Sequence, residues 1–174
     1  MAEQAQIDEL KEKMAEERGR LLSVLERIED EEAAKPTSGE GEWSAKQQMA
    51  HLCEMETAYR AWVAKALQED GASVDGVRGE RPAIPLEDAQ KHTAGELVGE
   101  MRRQREKTVV LIDSLRPEDF ERTASQKMFG SLTVMQWLRS YYRHDRMHYD
   151  QVRGVDPEYK PRFVGGKEPD QRRA

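Results

Sequence analysis

Residues 137–152 read WLRSYYRHDRMHYDQV, and the spacing within this stretch decides the fold. His144 and His148 are four apart, so on an α-helix their imidazoles lie on one face, about 40° apart around the axis. Two imidazoles at that spacing can bind one cation. Trp137, Tyr141, His144, His148 and Gln151 or Val152 also follow the stripe that faces a core, which places both histidines on the buried side. The helix begins at Thr133, where Thr133 and Gln136 form a capping box and Leu132 and Trp137 occupy the positions of a hydrophobic staple. It runs to about Gly154, a C-cap glycine.

Three more helices are predicted upstream. The first spans about Gln4 to Ala34, with Ile7, Leu10, Met14, Leu21, Leu25 and Ile28 at helical steps; Pro36 and the TSGEGE stretch end it. The second starts at a Ser44/Gln47 capping box, carries Leu52, Met55, Tyr59, Val63 and Leu67, and stops near Gly71. The third starts at a Thr93/Glu96 box, shows Leu97, Met101, Thr108, Leu111 and Leu115, and ends before Pro117. The expected fold is therefore all-α, a four-helix bundle over residues 1–155, followed by a tail over 156–174. That tail is rich in Pro, Gly and charge, with Tyr159 and Phe163 as docking points.

The connections set the topology. The first two helices are joined by about nine residues, which suits antiparallel neighbours. Residues 71–92 form a much longer linker containing Arg78, Arg81, Pro82 and Pro85. The second helix is roughly 37 Å long and such a linker reaches about 70 Å, so the chain can run back along the bundle. This gives an up-down-down-up order, with helices two and three parallel across the long crossover.

That order can be tested against the remaining histidines, His51 and His92. His51 lies seven residues into the second helix, roughly 10 Å from its start. The His144/His148 pair lies roughly 12 Å from the end of the fourth. If these two helices are antiparallel, the three imidazoles fall at one level. If parallel, the pair misses His51 by nearly two turns. Three neutral imidazoles suit Zn²⁺ or Ni²⁺. Three protein ligands leave room for water or substrate, the pattern of a catalytic site. A histidine on a core-facing stripe more often packs than ligates; the matching depth of all three brings the metal reading level with the packing one.

Composition narrows the classes further. The chain has 174 residues, 36% of them charged and 37% hydrophobic, with few aromatics and no continuous Val/Ile runs. This fits one helical domain and disfavours β architectures. Residues 1–90 hold 11 Lys/Arg against 21 Asp/Glu, a net of −10, and residues 91–174 hold 17 against 13, a net of +4. An acidic first half argues against nucleic-acid binding, which needs concentrated positive charge. A single cysteine, Cys53, excludes an internal disulfide framework and fits a reducing compartment. The N-terminus has no signal-like apolar stretch, and no window approaches the ~18 apolar residues of a membrane span. A cytoplasmic protein with no membrane partner is expected.

Two motifs add a resemblance. GEWSAKQQMAHL, from Gly41 to Leu52, resembles the W-S-x6-H-L entry to the second helix of the DinB/YfiT-like four-helix bundle proteins. SLTVMQWL followed by HDRMHYDQ, from Ser131 to Gln151, resembles that family's last helix with its H-x3-H-x2-Q pattern. The match covers about residues 7–155. The resemblance implies an up-down-down-up bundle, commonly a homodimer, holding a divalent ion on His51, His144 and His148. It also implies kinship with thiol-dependent transferases and isomerases that take a low-molecular-weight thiol as cosubstrate. Many relatives carry a further histidine directly before the last ligand, where this chain has Met147.

The leading expectation is thus a metal-dependent thiol S-transferase acting on an electrophilic small molecule. The alternative is a non-enzymatic, metal-binding, stress-associated dimer. Tyr141 and Gln151 are candidate catalytic groups, each against a plainer reading as a core-edge tyrosine and a helix-end amide. Arg78 and Arg81, on the linker, are candidate contacts for an anionic substrate or thiol. Glu54 reads as a solvated carboxylate and Cys53, about 200° from His51 around the helix, as a buried small hydrophobe. Arg139, Arg143 and Arg146 read as partners for the acidic first helix, and His92 as a loop residue.

Overall fold

Five α-helices organise the computed structural model, which describes residues 2–37, 42–162 and 165–172. They are α1 (Gln4–Leu25), the single-turn α2 (Asp30–Ala33), α3 (Ala45–Gln68), α4 (Ala94–Asp113) and α5 (Val134–Val152). The capping boxes at Ser44, Thr93 and Thr133 all form, each hydroxyl accepting from the backbone N–H three residues on. These caps satisfy backbone donors that a helix start leaves orphaned, which is why the three starts were readable to the residue.

Cross-helix bonds establish the directions. On α3 and α4 the contacts climb together, Glu56 with Arg105 at 2.8 Å and Arg60 with Thr108 at 3.0 Å, so these helices are parallel. On α3 and α5 they run oppositely, Gln48 with His148 at 2.9 Å and the Glu56 carbonyl with Tyr141 at 3.1 Å. On α1 and α4 they also run oppositely: Arg18 donates to the Met101 carbonyl at 3.0 Å and Arg105 to that of Met14 at 3.0 Å. The order is up-down-down-up. α1 packs chiefly on α5, and α3 on α4 and α5. The sequence reading made α1 and α3 neighbours; they are antiparallel but diagonal, because α5 and α4 fill the places between them.

Helix one is shorter than its pattern suggested. It stops at Leu25, a turn packs the half-buried Ile28 against the core, and α2 follows. The break has a partner to hold it: Asp30 at the start of α2 accepts from the Ala94 N–H at 2.7 Å and from Lys46 at 3.0 Å, tying the turn to the starts of both α4 and α3. The apolar stripe persisted through a turn because a turn, too, can present an apolar face.

The long linker does run back along α3. The Trp62 indole N–H donates to the Val77 carbonyl at 3.1 Å, and the Leu86 N–H donates to Glu54 at 2.9 Å. Between them Gly79 lies so close that a Cβ there would come within 2.3 Å of the Thr57 carbonyl carbon. The linker is not structureless: it contains β1 (Ala72–Ser73) and a 3-10 helix (Leu86–Lys91).

Residues 117–133 hold structure the periodicity did not reveal. A 3-10 turn (Pro117–Glu121) leads into the hairpin β2 (Thr123–Gln126) and β3 (Gly130–Thr133). β1 adds parallel to β2, making a three-stranded sheet in the order β1-β2-β3. Ala124 and Leu132 from this sheet and Phe129 from its β2–β3 turn join Trp137, Tyr59 and Val63 in one buried cluster. A second cluster joins Leu21 and Leu25 to Met49, Cys53, Leu97 and Met101. After α5, β4 (Tyr159–Pro161) and β5 (Asp170–Arg172) pair antiparallel. Tyr159 is buried as expected; Phe163 lies outside the described residues. No helix among the described residues is long and apolar enough to cross a membrane.

Candidate metal centre

His51 from α3 meets His144 and His148 from α5, as the depth argument required. One ligating atom from each lies within 4.8 Å of the others. The His51 ring centroid is 5.0 Å from that of His144 and 5.5 Å from that of His148. The Nε2 atoms of His144 and His148 face each other at 3.1 Å. Two nitrogens sharing a tetrahedral Zn²⁺ at ordinary bond lengths stand about 3.3 Å apart, so the pair has the spacing of co-ligands.

The charge state fits as well. Burial pushes the His51 imidazole down to about 4. Burial holds His144 well below the usual histidine range, aided by His51 and Arg18, and His148 likewise, aided by His144 and His51. All three are neutral at pH 7, the state that ligates a metal. His148 is fully buried and His144 nearly so, whereas His51 is half-buried. The cluster is therefore closed on the α5 side, and His51 on α3 is its most exposed member. There the Trp43 ring stands 4.7 Å from that of His51.

Two features around the histidines were not anticipated. Gln48, one turn before His51 and 1% exposed, takes up His148 Nδ1 at 2.9 Å. Its position three residues ahead of a ligand, on the same helix face, was the available signal. The second is a buried tetrad beside His144. Arg18 binds Asp145 through two hydrogen bonds and Glu56 through a third. Arg105 bridges the same two carboxylates at 2.8 Å each. Burial works against ionising Glu56 and Asp145, yet the two guanidinium charges hold both below the usual carboxylate range. Two cations and two anions cancel, so a buried cluster that would otherwise be untenable is neutral as a unit.

The remaining candidates have identifiable environments. Tyr141 is buried and donates to the Glu56 carbonyl at 3.1 Å, and burial followed by the Glu56 charge raises its hydroxyl. Its hydroxyl is thereby occupied in bracing α5 against α3. Gln151 is half-buried, and its Oε1 has no hydrogen-bond partner among the described residues. Arg81 pairs with Glu87 on the surface at 2.7 Å. Arg78 precedes Gly79 where the linker, a strap along α3, touches Thr57, nearly two turns along α3 from His51. Glu54 anchors the strap rather than sitting in solvent. Cys53 is buried, and burial, modified by Arg18 and by the Glu56 and other nearby carboxylates, pushes its thiol up to about 12. Arg146 does meet acidic α1, at Glu17, but Arg139 and Arg143 turn instead to Glu168 of the C-terminal segment.

A parallel-pair bundle with three imidazoles meeting across antiparallel helices defines a recognisable class of protein. The chain belongs to the DinB superfamily, whose family model matches residues 6–152. It is 28% identical over 145 residues to the uncharacterized protein YuaE of Bacillus subtilis (strain 168), covering 75% of this chain and 87% of that one. Among solved structures it resembles YfiT from Bacillus subtilis, described as a probable metal-dependent hydrolase with an unusual four-helix bundle topology. That likeness has a TM-score of 0.69 at 18% identity, covering 88% of this chain and 87% of YfiT. It also resembles the mycothiol-dependent maleylpyruvate isomerase, with a TM-score of 0.67 at 11% identity, over 84% of this chain and 60% of that one.

Proposed function

We propose that this protein is a divalent-metal-dependent enzyme whose ion is held by His51, His144 and His148, and that it transfers a low-molecular-weight thiol to a small electrophile. The observation that carries the reading is the convergence of three neutral imidazoles with one, His51, reaching toward the surface. Zn²⁺ or Ni²⁺ in such a set supplies a Lewis acid that lowers the pKa of a bound water or thiol. The rest of the work belongs to the chain. Burial keeps the imidazoles unprotonated, Gln48 holds the His148 ring, and the Arg18–Asp145 clamp secures the turn of α5 that carries His144. Asp145 is the next residue after His144, so the clamp acts on the backbone of the ligand itself.

The two structural relatives support the two nucleophiles this arrangement suits: one is described as a probable hydrolase and the other uses mycothiol. The thiol reading is tested with protein purified without a metal-affinity tag. Elemental analysis should give near one Zn or Ni per chain, and His148→Ala should lose it. Turnover of an electrophile should then require both metal and one member of a panel of small thiols. Metal-loaded protein that hydrolyses the electrophile without thiol would replace transferase by hydrolase. A loaded protein inert with every thiol and with water would favour a metal-binding role without catalysis.

A further inference from the structure

We infer that Thr37 and Gln48 set the tautomer of His148 through a hydrogen-bond relay anchored on the Trp43 carbonyl, which makes both of them positioning residues for the histidine cluster. The inference deepens the metal-centre reading and rests on it for its purpose, though not for its geometry.

The relay can be followed one proton at a time. Thr37 Oγ1 lies 2.7 Å from the Trp43 carbonyl oxygen. A carbonyl only accepts, so the hydroxyl proton must point there. The Thr37 oxygen is then left to accept, and Gln48 Nε2 sits 2.8 Å from it. The same Nε2 also lies 3.4 Å from the Trp43 carbonyl. An amide NH2 only donates and an amide oxygen only accepts. Turning the amide over would set its oxygen against the Trp43 carbonyl, and would leave the Thr37 hydroxyl with two acceptors for one proton. The orientation of Gln48 is therefore decided by its surroundings, and Oε1 faces His148.

The consequence falls on the ligand. Oε1 accepts at 2.9 Å from His148 Nδ1, so Nδ1 carries the proton. Nε2 is then the acceptor nitrogen, and it is Nε2 that faces His144 at 3.1 Å. A ring that ligates through Nε2 needs its other nitrogen protonated, and a fixed acceptor at Nδ1 pre-selects that form. The start of the relay is also built into the fold. Pro36 and Ser44 form an antiparallel bridge, and the Thr37 N–H donates to the Trp43 carbonyl at 3.1 Å. Gln48 and His148 are 1% and 0% exposed, so water does not compete for the bond between them.

The test uses the full-length, metal-free protein with ¹⁵N-labelled histidine. A long-range ¹H–¹⁵N spectrum at pH 7.5, with His148 assigned by its loss in His148→Ala, should show a protonated Nδ1 and an unprotonated Nε2. Gln48→Leu should remove that preference and weaken Zn²⁺ binding about 10–100-fold, the usual effect of deleting such a partner. Gln48→Glu keeps an acceptor at Nδ1 and should retain the tautomer, although its second oxygen, set against the Trp43 carbonyl, should cost stability; a retained tautomer in a less stable protein separates positioning from packing. Thr37→Val should loosen the preference with little change in fold. A His148 protonated on Nε2 in the wild type would overturn the inference, as would an unchanged tautomer and zinc affinity in both Gln48→Leu and Thr37→Val. A wild type that shows the Nδ1 tautomer and its loss in Gln48→Leu, yet binds neither Zn²⁺ nor Ni²⁺, would support the relay and sink the metal reading instead.

Discussion

Arg18 grips Asp145 through two hydrogen bonds, its Nε at 3.1 Å and its Nη2 at 3.0 Å, across the α1–α5 interface. Both residues are almost wholly buried, and Arg18 reaches on to Glu56 at 2.8 Å. The pair thus joins α1, α3 and α5 at the level of the histidine cluster. Removing one partner leaves a buried charge without compensation, which costs about 3–5 kcal/mol. Asp145→Ala should lower the unfolding free energy obtained from urea titration by about 3–5 kcal/mol. Replacing Arg18 and Asp145 together by leucine should cost less than the two single losses combined. A double variant as unstable as that sum would show that the pair is not a coupled unit.

The strap makes a steric prediction. Gly79 leaves no room for a Cβ against the Thr57 backbone, and backbone cannot move aside as a side-chain tip can. Gly79→Ala should push the strap off α3 and cost about 1–3 kcal/mol, the range for overpacking. It should also weaken the Trp62–Val77 contact, so tryptophan fluorescence should shift along with the thermal midpoint. An alanine variant with wild-type stability and spectrum would mean that the strap does not lie against the Thr57 backbone.

Asp30 gives a pH dependence. The Ala94 N–H, and then Lys46, hold its carboxyl below the usual range. A depressed carboxylate contributes stability that is present above the unfolded pKa of about 3.9 and is lost as pH falls through the lower folded value. Wild type should therefore exceed Asp30→Asn in urea resistance at pH 7, and the gap should close below about pH 4. A gap that widens on acidification would contradict the assignment.

Metal linkage supplies a further check. A ligand that binds only the native state adds about 2.7 kcal/mol at a hundred times its Kd. Zn²⁺ should raise the thermal midpoint of the wild type in a concentration-dependent way and leave that of His144→Ala unmoved. Chelator should reverse the gain. An equal response from both proteins would place the binding elsewhere.

Several features were legible along the chain because their causes are local. Capping boxes at Ser44, Thr93 and Thr133 depend on residues three apart, and they placed three helix starts. The His144/His148 face depends only on helical pitch. Even the meeting with His51 followed from counting residues, since rise per residue is constant. Arg18 was half-visible: it interrupts the stripe of Met14, Leu21 and Leu25, an odd place for a charge. Its partners Glu56, Arg105 and Asp145 were not, because three other helices supply them.

By itself, then, the sequence determined four amphipathic helices, their starts, their order and the level at which three imidazoles meet, all consequences of short-range spacing along a regular rod. Tertiary structure alone decided which helices are diagonal, how the strap and the β2–β3 hairpin close one end, and which side chains neutralise the buried charges. It also decided that Gln48 holds a histidine of the cluster. Those outcomes depend on which surfaces come together across dozens of residues of chain, and on hydrogen-bond partners that acquire meaning only once water is excluded between them.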